Sequence, residues 1–132
     1  MNQKVLAKQL RQLDMHVAVA NNGVEALDYL CTTKFHSKNT QSGNDLSLIL
    51  MDWEMPVMDG LTCVRRIRQL QSDHILRGHL PVIAITANVR AEQVKVAMEA
   101  GMDDVMSKPF RIPELQERIE RLLRLSHEQS EP

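Results

Sequence analysis

The sequence predicts an α/β chain, a doubly wound parallel sheet with helices on both faces, and three observations carry that expectation. Leu46–Met51 and Pro81–Ile85 are nearly continuous apolar runs, the pattern of strands covered on both sides. Between and around them, apolar residues recur with helical period. Strand-like and helix-like segments alternate along the whole chain, without an internal repeat.

The first helix is read over residues 4–13, where Val5, Leu6, Leu10 and Leu13 follow the spacing of a surface helix. Its Lys4, Lys8 and Arg11, with no acid, faintly resemble a transit peptide, but the helical spacing favours an ordinary helix. His16–Ala20 reads as a short buried strand, and Asn21-Asn22-Gly23 as a turn. A helix follows over Val24–Cys31, then a polar, mobile surface loop over Thr32–Asp45. The Leu46–Met51 strand stops at Asp52-Trp53-Glu54, and Pro56 and Asp59-Gly60 mark the next loop. Leu61, Val64, Ile67 and Leu70 trace one helix face, and Pro81–Ile85 is a strand closed by Thr86. A helix over Ala91–Ala100 ends at Gly101, a natural C-cap. Val105–Ser107 is a short strand running into Lys108-Pro109. The last helix begins near Pro113, with Leu115, Ile119, Leu122 and Leu123 inward and Glu114–Arg118, Glu117–Arg121 and Glu120–Arg124 as i,i+4 pairs outside. Residues 1–125 form one domain, and 126–132 a disordered tail.

Composition narrows the function. The chain has 132 residues with 43% apolar and 25% charged, which suits one soluble domain. Lys plus Arg number 16 against 17 Asp plus Glu, so no net field draws it to nucleic acid or anionic lipid. Aromatics at 3% leave no stacking platform for bases. No apolar run reaches the roughly 20 residues of a membrane span, and the chain reads as cytoplasmic. Cys31 and Cys63 sit in amphipathic stretches and read as buried thiols. His74 and His79 lack a third nearby ligand for a metal, and no histidine stands in the helical setting of a phosphodonor. Arg65, Arg66 and Arg68 read as a solvated helix face, and Met51, Met55 and Met58 as packing. Trp53 is the exposed aromatic set to touch a partner.

In an open parallel sheet, ligands bind beyond the carboxyl ends of the strands. Asp52, Thr86 and Lys108 each close a strand and so converge on one edge. A carboxylate, a hydroxyl and an ammonium together handle anions. Asp52 can act as a nucleophile toward phosphorus, Lys108 supplies a point charge, and Thr86 a hydroxyl donor.

MDWEMPVMDG, ITAN and AGMDDVMSKPF, in this order, resemble the receiver domain of two-component response regulators and hybrid histidine kinases. The likeness covers about residues 2–125, and with the 32–45 loop and LTCVRRIR it is most similar to the C-terminal receiver of a fungal-type hybrid kinase. The resemblance implies a flavodoxin-like fold and a phosphoryl group received on Asp52 from a phosphohistidine. It implies that Thr86 and Lys108 hold that group and that the Lys108-Pro109 bond is cis. It places Mg²⁺ on Asp52 and the backbone carbonyl of Glu54, and makes the partner a histidine kinase or a histidine phosphotransfer protein. It implies no turnover by the isolated domain; a longer parent would be the hybrid kinase.

Two departures from the family pattern qualify these expectations. Asn2-Gln3-Lys4-Val5-Leu6 matches the segment just after the family's first strand and its acidic pair, so both are expected to lie off this chain. Asp103 and Asp104 cannot replace that pair, because they precede the Lys108 strand. Mg²⁺ affinity is therefore expected to be weak. The lost strand would be central, between residues 16–20 and 46–51, at a cost of roughly 5–15 kcal/mol in burial, so self-association or strand exchange becomes an expectation. Val105 stands where many receivers carry the aromatic that reports phosphorylation, which suits a module that passes its phosphoryl group on. Two other readings remain open. One is a pseudo-receiver that binds proteins without phosphate. The other is a haloacid-dehalogenase-like phosphatase, against which Glu54 and the Pro109-Phe110-Arg111 sequence after Lys108 both stand.

Overall fold

The computed structural model describes residues 3–38, 41–54, 57–87 and 90–130, the side chains of 126–130 excepted. Asn2, Asn39, Met55, Pro56, Asn88 and the end of the expected tail lie outside the described residues. In chain order the elements are α1 (Gln3–Arg11), α2 (Gly23–Leu30), β1 (Ile49–Asp52), α3 (Gly60–Ser72), β2 (Val82–Thr86), α4 (Ala91–Ala100), β3 (Asp104–Ser107) and α5 (Ile112–Ser130). The strands form a parallel sheet in the order β1-β2-β3, with Ile49 opposite Val82 and Ala84 opposite Val105.

Residues of β2 alternate between two cores, as the pleat requires. Val82 and Ala84 face Met51, Cys63, Val64, Ile67 and Ala97, the core under α3 and α4. Ile83 and Ile85 face Leu10, Met106, Leu115, Ile119 and Leu122, the core under α1 and α5. All five β2 residues are buried, so the apolar run from Pro81 reflects cover on both faces. The architecture is a parallel α/β sheet with helices packed on both faces, as expected.

The expected strand over residues 16–20 does not form. Met15 and Val17 still pack on the α1/α5 core, but no strand lies beside them to complete a ladder. Side chains of α1 take some of the carbonyls instead: Arg11 Nη2 donates to Val17 O at 2.9 Å and Gln3 Nε2 to Ala20 O at 3.1 Å. A strand is a pairing, and alternating apolar residues alone do not make one. The outer edge of β1 likewise has no ladder partner among the described strands.

The 32–45 segment is tied down where a mobile loop was expected. Thr33 bridges Asn44 and His36 bridges Leu76, Thr33 is fully buried, and Phe35 packs on the core. Two of the three arginines expected to pair along α5 reach back to β3 instead. Arg118 lies 2.8 Å and Arg121 3.3 Å from the half-buried Asp104, which offers a less solvated carboxylate than the helix surface. Cys31 is exposed, against expectation, because it stands at the C-cap of α2, one residue past the buried Leu30; Cys63 is buried and its thiol is pushed up to about 11.

Candidate functional site

The carboxyl edge of the sheet is built from three short connections. β1 delivers Asp52 at its last position, β2 delivers Thr86, and Lys108 follows β3 directly. The Lys108 amide donates to Thr86 O at 2.9 Å, which fixes the last connection to the second, and the Lys108-Pro109 bond is cis.

The backbone after Asp52 is held by α3. Gly60 N donates to Trp53 O at 2.9 Å, and a Cβ on Gly60 would lie 2.6 Å from Asp52 O and 3.0 Å from Trp53 Cα. Only glycine permits this approach. Asp59 caps α3 by accepting from Thr62 N at 2.8 Å, and that bond holds its carboxyl below the usual carboxylate range. The helix is thus seated against the strand end that carries Asp52.

Lys108 Nζ lies 2.9 Å from Asp52 Oδ1, with both side chains about one-third exposed (30% and 33%). Thr86 is buried, and its hydroxyl donates to Glu54 Oε1 at 2.9 Å. The structure therefore gathers Asp52 and Lys108 in direct contact and places Thr86 on the same edge, bonded to an acid two residues beyond Asp52. The Glu54 side chain escaped sequence analysis. Its partner is 32 residues away, and no periodicity reports such a contact. Trp53 was expected to be exposed and is instead half-buried against the α3/α4 core, since Gly60 pins its backbone.

The opposite edge holds a polar cluster centred on Arg68 and Asp103. Arg68 donates to Asp103 at 2.9 Å, to Leu80 O at 2.8 Å, to Gly101 O at 3.0 Å and to Gln71 at 2.9 Å. Asp103 also accepts from Val82 N at 2.8 Å and meets His79 at 2.6 Å. Burial draws the Arg68 guanidinium below its ordinary value, and Asp103 opposes that. Arg68 is thus a structural residue, not part of a solvated face, because Gly101 leaves room for it to lie across the α4 C-cap.

The donors available to a Mg²⁺ ion are few. Asp52 already gives one oxygen to Lys108, and Glu54 gives one to Thr86. Among the described residues no group of three or more His, Cys, Asp or Glu side chains could hold a metal. Mg²⁺ is commonly held by one or two carboxylates with waters and phosphate completing its shell, and here the two carboxylates on this edge are each already bonded within the protein.

Comparison with known proteins places this geometry in a family. The model of the response regulator receiver domain matches residues 1–120. Hybrid signal transduction histidine kinase M of Dictyostelium discoideum is 37% identical over 109 residues, 83% of this chain and 4% of that protein. The sensor histidine kinase RcsC of Escherichia coli K12 is 36% identical over 118 residues, 89% of this chain and 11% of that protein. The chain thus spans a small fraction of these relatives. Among solved structures, the receiver domain of sensor histidine kinase PA1611 from Pseudomonas aeruginosa, with magnesium in its active-site cleft, aligns with TM-score 0.73 and 30% identity, covering 92% of this chain and 88% of that one. The Francisella response regulator 1452 receiver domain aligns with TM-score 0.74 and 26% identity, covering 93% and 88%. The chain belongs to the response regulator receiver domain family.

Proposed function

We propose that this chain is a phosphorelay receiver module that takes a phosphoryl group from a phosphohistidine onto Asp52 and passes it on. The observation that carries this reading is the Lys108 ammonium 2.9 Å from the Asp52 carboxylate, at the sheet edge closed by Thr86. An Asp52 oxygen attacks phosphorus in line, the P–N bond breaks, and its electron pair stays on the leaving imidazole. The product is an aspartyl phosphate. Lys108 offsets charge on the equatorial oxygens, and the Thr86 hydroxyl turns to donate to one of them. No proton has to leave Asp52, so no general base is required.

The donor and the acceptor downstream are a histidine kinase or a histidine phosphotransfer protein. Receiver domains bind Mg²⁺ in general; here the sparse donor set points to weak affinity, with Asp52 and the Glu54 carbonyl as the residues that would hold it. No described helix is long and apolar enough to cross a membrane, and the partners proposed place the module in the cytoplasm, without nucleic acid. The edge of β1, unpaired among the described strands, supports self-association or strand exchange as a concentration-dependent property. The domain extends over residues 1–125, with 126–132 as the tail, although the backbone of α5 is helical to Ser130.

The same sparse metal set favours a second reading, a pseudo-receiver that binds partners without accepting phosphate. Acetyl phosphate, with and without Mg²⁺, separates the two. The phosphoacceptor reading expects one added phosphoryl by intact mass, lost in Asp52→Asn, together with a change in Trp53 fluorescence. No mass gain under either condition establishes the pseudo-receiver.

A further inference from the structure

We infer that the Glu54 carboxylate is a placeholder for the phosphoryl group: it holds the Thr86 hydroxyl in the resting chain and has to release it when Asp52 is loaded. This inference rests on the phosphoacceptor reading and adds a positioning residue to it. The Thr86 hydroxyl donates to Glu54 Oε1 at 2.9 Å, and a hydroxyl has a single proton to donate. A phosphoryl oxygen that takes this donor must displace the glutamate.

Geometry makes the exchange easy. Glu54 is exposed and stands two residues beyond Asp52, so its side chain can swing into solvent, whereas Thr86 is 2% exposed and fixed in β2. Charge makes it obligatory. The phosphoryl group arriving on Asp52 is anionic, and a carboxylate bonded to the same hydroxyl repels it at short range. Lys108 is already paired with Asp52, which leaves Glu54 as the anion next to the incoming group. Glu54 therefore restrains loading while it accepts from the Thr86 hydroxyl.

The test uses acetyl phosphate as donor. The Asp52 oxygen forms the new P–O bond, acetate leaves with the electron pair of the old one, and the initial rate of mass gain is followed. Glu54→Gln removes the charge and keeps an acceptor, and Glu54→Ala removes both. Each is expected to load roughly fivefold faster than the native chain, the scale of one screened charge repulsion. In a Thr86→Val background the gain is expected to shrink, because no hydroxyl then holds the glutamate beside the incoming group and its side chain is free to swing into solvent.

A second readout needs no phosphoryl group. The Thr86 methyl resonance is expected to move in Glu54→Ala relative to the native chain. Loading rates unchanged or slowed in both Glu54 variants overturn the inference while leaving Asp52 as acceptor. So does an equal gain in the Thr86→Val background, or a Thr86 resonance indifferent to residue 54. Failure of the native chain and of every Glu54 variant to load overturns the phosphoacceptor reading, and this one with it.

Discussion

At the amino end of the sheet Asp103 meets Arg68 at 2.9 Å; at the carboxyl end Asp52 meets Lys108 at the same distance. The surroundings differ. Asp103 also accepts from the Val82 amide and His79, and Arg68 spends its remaining donors on Leu80, Gly101 and Gln71. That pair stitches α3, β2 and the α4 C-cap together. Asp52 faces a single flexible ammonium, with both groups one-third exposed and a buried hydroxyl nearby occupied by another acid. One carboxylate is saturated by geometry and the other is left with capacity. A planar guanidinium suits the first role, and a point charge on a flexible stem suits the second.

Arg68→Ala should break the amino end with the largest effect. It strands two carbonyls and half of Asp103, at about 2–4 kcal/mol by urea denaturation. Gly60→Ala should come next. Its Cβ has no room beside Asp52 O, so a loss of about 1–3 kcal/mol and a displaced Asp52 are expected, read by denaturation and by acetyl phosphate loading. Asp59→Ala should cost ~1 kcal/mol at neutral pH through the lost α3 cap. Because the Asp59 carboxyl is lowered in the folded chain, its contribution is present above the unfolded-state value and fades as pH falls through the folded one. The variant should therefore lose less stability on acidification than the native chain. Asp52→Asn should be the mildest for stability, under about 1 kcal/mol, while abolishing phosphoryl uptake. A large loss of stability there would erase the contrast between the two ends.

Only the carboxyl end of this contrast is legible in the sequence. Asp52, Thr86 and Lys108 stand where apolar runs stop, and in a parallel sheet the stops of the strands share an edge. Pro81–Ile85 could be assigned because its continuous apolar run suits a strand covered on both faces, and Val82–Thr86 are indeed all buried. His16–Ala20 misled because its apolar pattern was read without its neighbour; packing on one face survives the absence of a ladder, and pairing does not. Arg68 misled for a related reason. It looks like Arg65 and Arg66 along the chain, yet two of its partners lie 33 and 35 residues away. The Glu54–Thr86 bond is equally non-local. Periodicity reports which face a residue turns inward, and these contacts depend on which elements meet there.

The pinched neck of the 32–45 segment gives the chain a practical handle. Thr33 meets Asn44 and His36 meets Leu76, so the segment that leaves the body at Thr33 rejoins it at Asn44, with Gln41 and Ser42 exposed. Lengthening such a pendant costs little, roughly 0.6 kcal/mol for each doubling. A dye, an epitope or a tether to a surface grafted there would hang from the body by that neck and leave the carboxyl edge open to whatever docks on it.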